Sequence, residues 1–312
     1  MKLAQLAAIM RRLDTSHIDY QYCSEQHKMT VAGIAGENSV HYYLQELTVP
    51  HLLIRNLCLN GPSNHKYEID FLLIFPSFLI CLEVKNITGI LDFDDEASQL
   101  LRTRADGSVD RFQNPIEQIT RHVRLLSTML PNVPIESAVV IANRNAIINK
   151  KSPRIPIFHA DYVTSFIEHN FEKYNQNTID MHEIYHTFTR NHILNSINIK
   201  FKLQQLKIGV FCPKCDFNQE MIFRSGTFIC PRCRIKDKYA HFYALEDYRL
   251  LVDNKISNEQ FRKLCNIPSR DAAKRLLSKL AIFKHARYTY YEIPAQILTM
   301  YHNKSNDSPM GG

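Results

Sequence analysis

Tryptophan is absent from the 312 residues, and glycine is scarce, at 9 residues against 13 prolines. Such a composition excludes collagen-like and Gly/Pro-rich low-complexity chains. Long apolar runs are missing too. The stretch from Phe71 to Val84 is broken by Pro76 and Glu83 and falls short of the roughly 20 apolar residues that a bilayer demands, so no membrane partner is expected. Leu3 to Met10 is apolar, but its basic residues, Arg11 and Arg12, follow it, and no small-residue cleavage site appears. A cytoplasmic protein is expected. What is present is 45% hydrophobic and 22% charged residues, enough for packed cores. The length points to two or three domains rather than one.

The net charge of +7 is unevenly spread. Lys and Arg number 19 against 21 Asp and Glu in residues 1–200, and 19 against 10 in residues 201–312. The last third therefore suits a polyanion, the plainer alternative being a solvated basic face. Of the eight cysteines, Cys23, Cys58, Cys81 and Cys265 are scattered and read as reduced, buried thiols. The other four form Cys212-Pro-Lys-Cys215 and Cys230-Pro-Arg-Cys233, separated by fourteen residues. Two C-x-x-C pairs supply the S₄ shell that suits a closed, structural Zn²⁺.

Hydrophobic periodicity predicts a helix from Gly33 to Leu47, ended by Pro50, then strands over Leu52–Leu59, Tyr67–Phe75 and Phe78–Ile87 in a meander. The stretch from Asp92 to Gly107 reads as polar, with Asp106-Gly107 as a hairpin turn. A helix follows Asn114-Pro115, and then come strands at Ser137–Ala142 and Ile155–Phe158 and a helix near 160–171. Residues 176–207 read as mostly helical.

Charged residues single themselves out on two of these strands. Asp70 lies at one end of an apolar strand, and Glu83 and Lys85 share a face with Cys81 on the next. Burying them is costly unless they are paired or hold a metal. Neighbouring strands lie about 4.8 Å apart, within reach of a common Mg²⁺ or Mn²⁺. A lysine beside the ion could position the attacking water and offset charge on a phosphoryl transition state. Taken alone, the triplet also reads as a salt bridge on a solvated sheet face.

The order of motifs separates these readings: Gly36-Glu37 opening a helix, Glu68-Ile69-Asp70, Leu82-Glu83-Val84-Lys85-Asn86 with Gly89 after it, then Asn114-Pro115 and Gln118. Over about residues 31–145 this order resembles the nuclease-related domain (NERD) family of the restriction-endonuclease-like superfamily, with its PD-(D/E)xK site. The resemblance implies a mixed sheet flanked by helices and metal-dependent hydrolysis of DNA. It implies metal binding by Asp70 and Glu83, the lysine role for Lys85, a further acid at Glu37 and a polar helix position at Gln118. Glu37 is otherwise a helix-start acid favoured by the macrodipole, and Gln118 a helix-start hydrogen-bonding residue. Ile69 stands where the superfamily usually has proline.

In the last third, short strands and the basic Lys214, Arg224, Arg232, Arg234, Lys236 and Lys238 suggest a zinc ribbon that touches nucleic acid, contact with a protein being the usual alternative. Ser269 is the natural cap of a helix over Arg270–Leu280 that follows a shorter one, and Ile282 to Ile293 supplies two basic, aromatic strands. This resembles a winged helix-turn-helix, with Arg270, Lys274, Arg275, Lys279, Lys284 and Arg287 as candidate nucleic-acid contacts. Base-stacking on Tyr288, Tyr290 and Tyr291 would favour single strands, core or wing positions being the commoner role of such residues.

The expectation is an α/β chain: a helical extension (1–30), a restriction-endonuclease-like core (31–172), a helical connector (173–207), a zinc ribbon (208–245), a winged-helix-like domain (246–296) and a flexible tail (297–312). Its expected activity is Mg²⁺-dependent DNA cleavage, with RNA as another substrate the residues allow. The alternative is a non-catalytic DNA-binding or scaffold protein.

Overall fold

A computed structural model describes residues 2–174, 178–197, 199–285, 288–299 and 301. Helices α1 (Lys2–Arg12) and α2 (Tyr20–Leu44) open the chain. The residues then divide into two compact units, 29–195 and a second made of 1–28 with 196–312. Of the expected tail, residues 300 and 302–312 lie outside the described residues. Among the described residues no helix is long and apolar enough to cross a membrane.

The first unit is mixed α/β. Strands β1 (Leu52–Asn60), β2 (Lys66–Ile74) and β3 (Leu79–Lys85) form the antiparallel meander, joined by a 3₁₀ turn at Pro62–Asn64. Then come β4 (Gly89–Asp94), β5 (Gln99–Thr103), β6 (Val109–Gln113), α3 (Pro115–Met129), β7 (Ile135–Ile141), β8 (Ala146–Lys150), β9 (Ile157–His159), α4 (Val163–Lys173) and α5 (Met181–Asn191). One sheet runs in the order β1-β2-β3-β7-β9, with β7 parallel to both neighbours, and a second runs β6-β5-β4-β8. Every residue of β3 before Lys85 is buried, as a strand covered on both faces requires. On one face Ile116, Ile119 and Leu126 of α3 and Phe188 of α5 pack against Cys81 and Val139. On the other, Val40 and Leu44 of α2 and Val163 and Ile167 of α4 pack against Leu82 and Val140.

Three differences from the sequence reading have physical causes. Helix α2 begins at Tyr20, not Gly33, so Glu37 is no helix-start acid and the macrodipole cannot be what favours it. The stretch from Asp92 to Gly107 holds the end of β4 and all of β5, whose buried Phe93 and Leu100 lie beside polar Asp92, Asp94 and Gln99. Half-buried strands of this kind look polar in composition. In the expected connector, the described residues 192–197 and 199–202 that follow α5 are not helical, and a 3₁₀ turn comes at Leu203–Gln205.

The second unit contains α1, β10 (Val210–Phe211), β11 (Glu220–Arg224), β12 (Thr227–Ile229), β13 (Lys236–Asp237), α6 (His241–Leu251), β14 (Lys255–Ser257), α7 (Asn258–Cys265), α8 (Arg270–Leu277), β15 (Ala281–His285) and β16 (Tyr288–Glu292). Strands β10 to β13 form one antiparallel sheet, and β14-β16-β15 another. Ser257 and Gln260 make a capping box on α7, and the Ser269 hydroxyl accepts from Ala272 N–H to start α8. Helix α1 belongs to this unit through its charges. The Arg12 guanidinium, 1% exposed, donates to Asp247 at 2.8 Å and to the carbonyls of Lys207 and Gly209 at 3.1 and 2.7 Å.

Candidate functional site

In the first unit the expected site residues gather where β2 and β3 part. The ladder between these strands ends at Phe71↔Leu82. Beyond it, Asp70 takes over the role of a strand, and its Oδ2 accepts from Val84 N–H at 2.7 Å. Glu83 is 1% exposed. Its Oε1 accepts from Lys85 Nζ at 2.6 Å, and the same ammonium donates to Gln118 Oε1 at 3.2 Å. Glu83 Oε2 is buried and receives no hydrogen bond among the described residues.

Glu37 reaches the same neighbourhood from α2. Gly36 lets that helix lie against the end of β3, where an added Cβ would sit 2.6 Å from Asn86 Cβ. The Asn86 amide ties the two together by donating to Ala32 O at 2.8 Å. The Asn56 side chain hydrogen-bonds Glu37, whose Oε2 is buried and unpartnered. Asn56 lies in β1 opposite Asp70 and has φ of 53°, a left-handed conformation that asparagine tolerates better than most residues.

The electrostatics agree with a shared neighbourhood. Loss of water pushes the Asp70 carboxyl well above the usual carboxylate range, and the charge of Glu83 adds to this. Burial also raises Glu83, against the pull of Lys85, and raises Glu37. Three acids that lose by ionising together are a donor set a hard cation would relieve. Two buried carboxylate oxygens without a donor point the same way. The acids do not meet tightly, however. Among the described residues, the four cysteines alone bring three or more ligand atoms within 4.8 Å of one another.

Sequence reasoning missed His122. It is 4% exposed on α3, with Nδ1 3.8 Å from Glu83 Oε2 and its ring edge-on to Tyr67. Burial holds its pKa down to about 4, with Arg121 and Lys85 adding to the effect. The four-residue spacing from Gln118 was the available signal, since it puts both side chains on one helix face. Asn56 was legible only as a polar residue inside an apolar strand.

In the second unit the two cysteine pairs come together. Cys212 Sγ lies 3.6 Å from Cys233 Sγ, and Cys215 Sγ lies 3.8 Å from Cys230 Sγ. A tetrahedron with Zn–S bonds of about 2.3 Å has edges of about 3.8 Å. The cluster could hold a structural zinc ion. The basic candidates Arg270, Lys274, Arg275, Lys279 and Lys284 are exposed, and Ala272 and Ala273 turn inward. Arg287 lies outside the described residues, as does the side chain of Tyr288. Tyr291 is only 6% exposed, so its ring is a core residue and is not offered to a base.

No curated protein and no solved structure matches the chain. Residues 32–142, which carry Glu37, Asp70, Glu83, Lys85 and Gln118, match the family model of the nuclease-related domain, NERD.

Proposed function

We propose that this protein is a divalent-metal-dependent nuclease that hydrolyses phosphodiester bonds of DNA, with a basic, zinc-bearing second unit that binds the nucleic acid. The observation that carries the reading is Glu83, a buried carboxylate paired through one oxygen with Lys85 and left unpartnered at the other. Asp70 and Glu83 would hold Mg²⁺ or Mn²⁺, with Glu37 as a further ligand. When bound, such an ion supplies an acidified water and neutralises phosphate charge.

The chain's own residues do the rest. Val84 N–H fixes the direction of Asp70. Gln118 and Glu83 aim the Lys85 ammonium, which keeps 24% of its side-chain surface exposed. From there it can meet a phosphate oxygen as negative charge grows on it. His122, kept neutral by burial, adds no positive charge that would compete with a cation for Glu83. The order β14-α7-α8-β15-β16 supports a winged-helix reading of the second unit, with α8 as its basic helix.

The test is incubation of the full chain with linear, circular and single-stranded DNA and with RNA, in Mg²⁺ or Mn²⁺, beside Asp70→Ala and Lys85→Ala. Metal-dependent cleavage lost in both variants is the expected result. Binding without cleavage by the unaltered protein would overturn the enzymatic reading in favour of a binding module.

A further inference from the structure

In the second unit a cavity of about 700 Å³ opens between the β11–β12 turn, the start of α6 and the C-terminal half of α8. That volume is in the range of pockets that take small ligands, roughly 300 to 1,000 Å³. Two kinds of chemistry meet in it. Its wall is aromatic, with Phe223 packed 5.0 Å from Phe228 and Tyr239 stacked on Phe242 at 6.0 Å and 22°. Its rim is cationic, with Lys238, Arg275 and Lys279 all exposed and the Lys279 ammonium 6.0 Å from the Tyr239 ring centre. Among the described residues no Asp or Glu lines it. Among the described residues, the arginine and lysine ion pairs of this unit are those of Arg11 and Arg12 with Asp247 and of Arg249 with Glu246. None of the three rim cations has an ion pair among the described residues.

Cations alone would suit any polyanion, and a duplex would satisfy them through its outer phosphates. Half-buried ring faces inside a pocket have no use for a duplex, whose bases already stack on one another. They suit a base that has left its stack, because each base offers a π-face whatever its identity. We infer that this pocket receives an unpaired nucleotide of a single-stranded nucleic acid, its base against Phe223 and Tyr239 and its phosphates on Arg275, Lys279 and Lys238. The inference rests on the reading that this unit binds nucleic acid, and it names the form bound.

The experiment uses the full chain carrying Asp70→Asn, without added divalent metal and without chelator. A silent nuclease site then leaves the binding readout untouched, and the four-cysteine site is not stripped. Fluorescence anisotropy compares a labelled twelve-nucleotide poly-dT, the matching poly-U and a duplex of the same length across a salt series. The single strands should bind about 10-fold tighter than the duplex, the DNA and RNA arms separating the two sources of an unpaired nucleotide. Phe223→Leu should weaken single-strand binding by about 5-fold or more at an unchanged salt slope, and Phe223→Tyr, which keeps a ring, should restore it. Arg275→Ala with Lys279→Ala should lower the slope by about 1.4. Equal affinity for duplex and single strands, with Phe223→Leu silent, would overturn the inference. Displacement of poly-dT by poly-glutamate as readily as by unlabelled poly-dT would overturn it too, and would point to an acidic protein partner.

Discussion

Lys85 Nζ meets Glu83 Oε1 at 2.6 Å, and the other oxygen of that carboxylate is buried without a donor. The pair is half complete: one oxygen has its cation and the other lacks one. Lys85→Met removes the single compensating charge and should destabilise the metal-free protein by up to about 3 kcal/mol, because a stranded buried charge costs more than its pair contributed. Mn²⁺ should then raise the thermal midpoint of the variant more than that of the unaltered protein, while cleavage falls about 10²- to 10³-fold. Thermal scans with and without Mn²⁺ check the first point. A midpoint insensitive to metal in both proteins would take Glu83 out of the metal-binding set.

Gly36 places Glu37. In Gly36→Ala the new Cβ would lie 2.6 Å from Asn86 Cβ, so α2 has to back away from the end of β3. Alanine also favours the helix by about 1 kcal/mol, which offsets much of the clash. Stability should therefore change little, whereas metal-dependent cleavage should drop about 10-fold through the displaced carboxylate. A fall in thermal midpoint with cleavage intact would mean that the contact is structural only.

Much of this was legible in the sequence, and the failures have reasons. The apolar runs of β2 and β3 announced themselves because strands buried on both faces leave no polar alternation to blur the pattern. Asp70, Glu83 and Lys85 stood out against those runs for the same reason. The N-terminal half of α2 was obscured because polar Gln21, Ser24, Glu25, Gln26 and Lys28 give it no apolar stripe. His122 was missed because its spacing from Gln118 was the only local hint, and its approach to Glu83 comes from the packing of α3 on β3. The cysteine pairs needed no packing at all, since ligand spacing is local. The attachment of α1 to the last third of the chain had no local signature either.

Asp110 gives a pH-dependent readout in the β5–β6 hairpin. It accepts from Arg104 Nε at 2.7 Å and from Arg102 Nε at 2.7 Å, and these bonds hold its carboxyl below the usual range. A folded-state pKa below the unfolded one contributes stability above about pH 4, and that stability is lost as pH falls through the folded value. The thermal midpoint of Asp110→Asn should lie below that of the unaltered protein by a constant gap from pH 5 to 7. The gap should narrow below pH 4. A gap that widened in acid would contradict the direction of the shift.

The four sulfurs already have the spacing of a zinc shell, so the purified protein should contain one zinc per chain, measurable by elemental analysis. Cys212, Cys230 and Phe228 belong to one buried cluster with Leu245 and Phe261. Loss of the ion should therefore be felt beyond strands β10 to β13. Cys230→Ser should abolish stoichiometric zinc and flatten the near-ultraviolet circular dichroism from the aromatic rings of this unit. Full zinc content in Cys230→Ser would show that the metal sits elsewhere.

Asp247 holds α1 in place through two arginines, Arg11 at a distance of 2.5 Å and Arg12 at 2.8 Å. Arg12 cannot escape to water, being 1% exposed and tied to two backbone carbonyls as well. Asp247→Ala therefore leaves a guanidinium buried without its carboxylate, a loss of about 3 to 5 kcal/mol. Asp247→Ala with Arg12→Met removes the two buried charges, leaves only the part-exposed Arg11 without its partner, and keeps much of the apolar volume of the Arg12 stem, so it should recover most of that loss. Chemical denaturation of the two variants measures the difference. If Asp247→Ala lost no stability, α1 would be held by the apolar contacts of Leu6, Ile9 and Leu13, and the charge network would be dispensable.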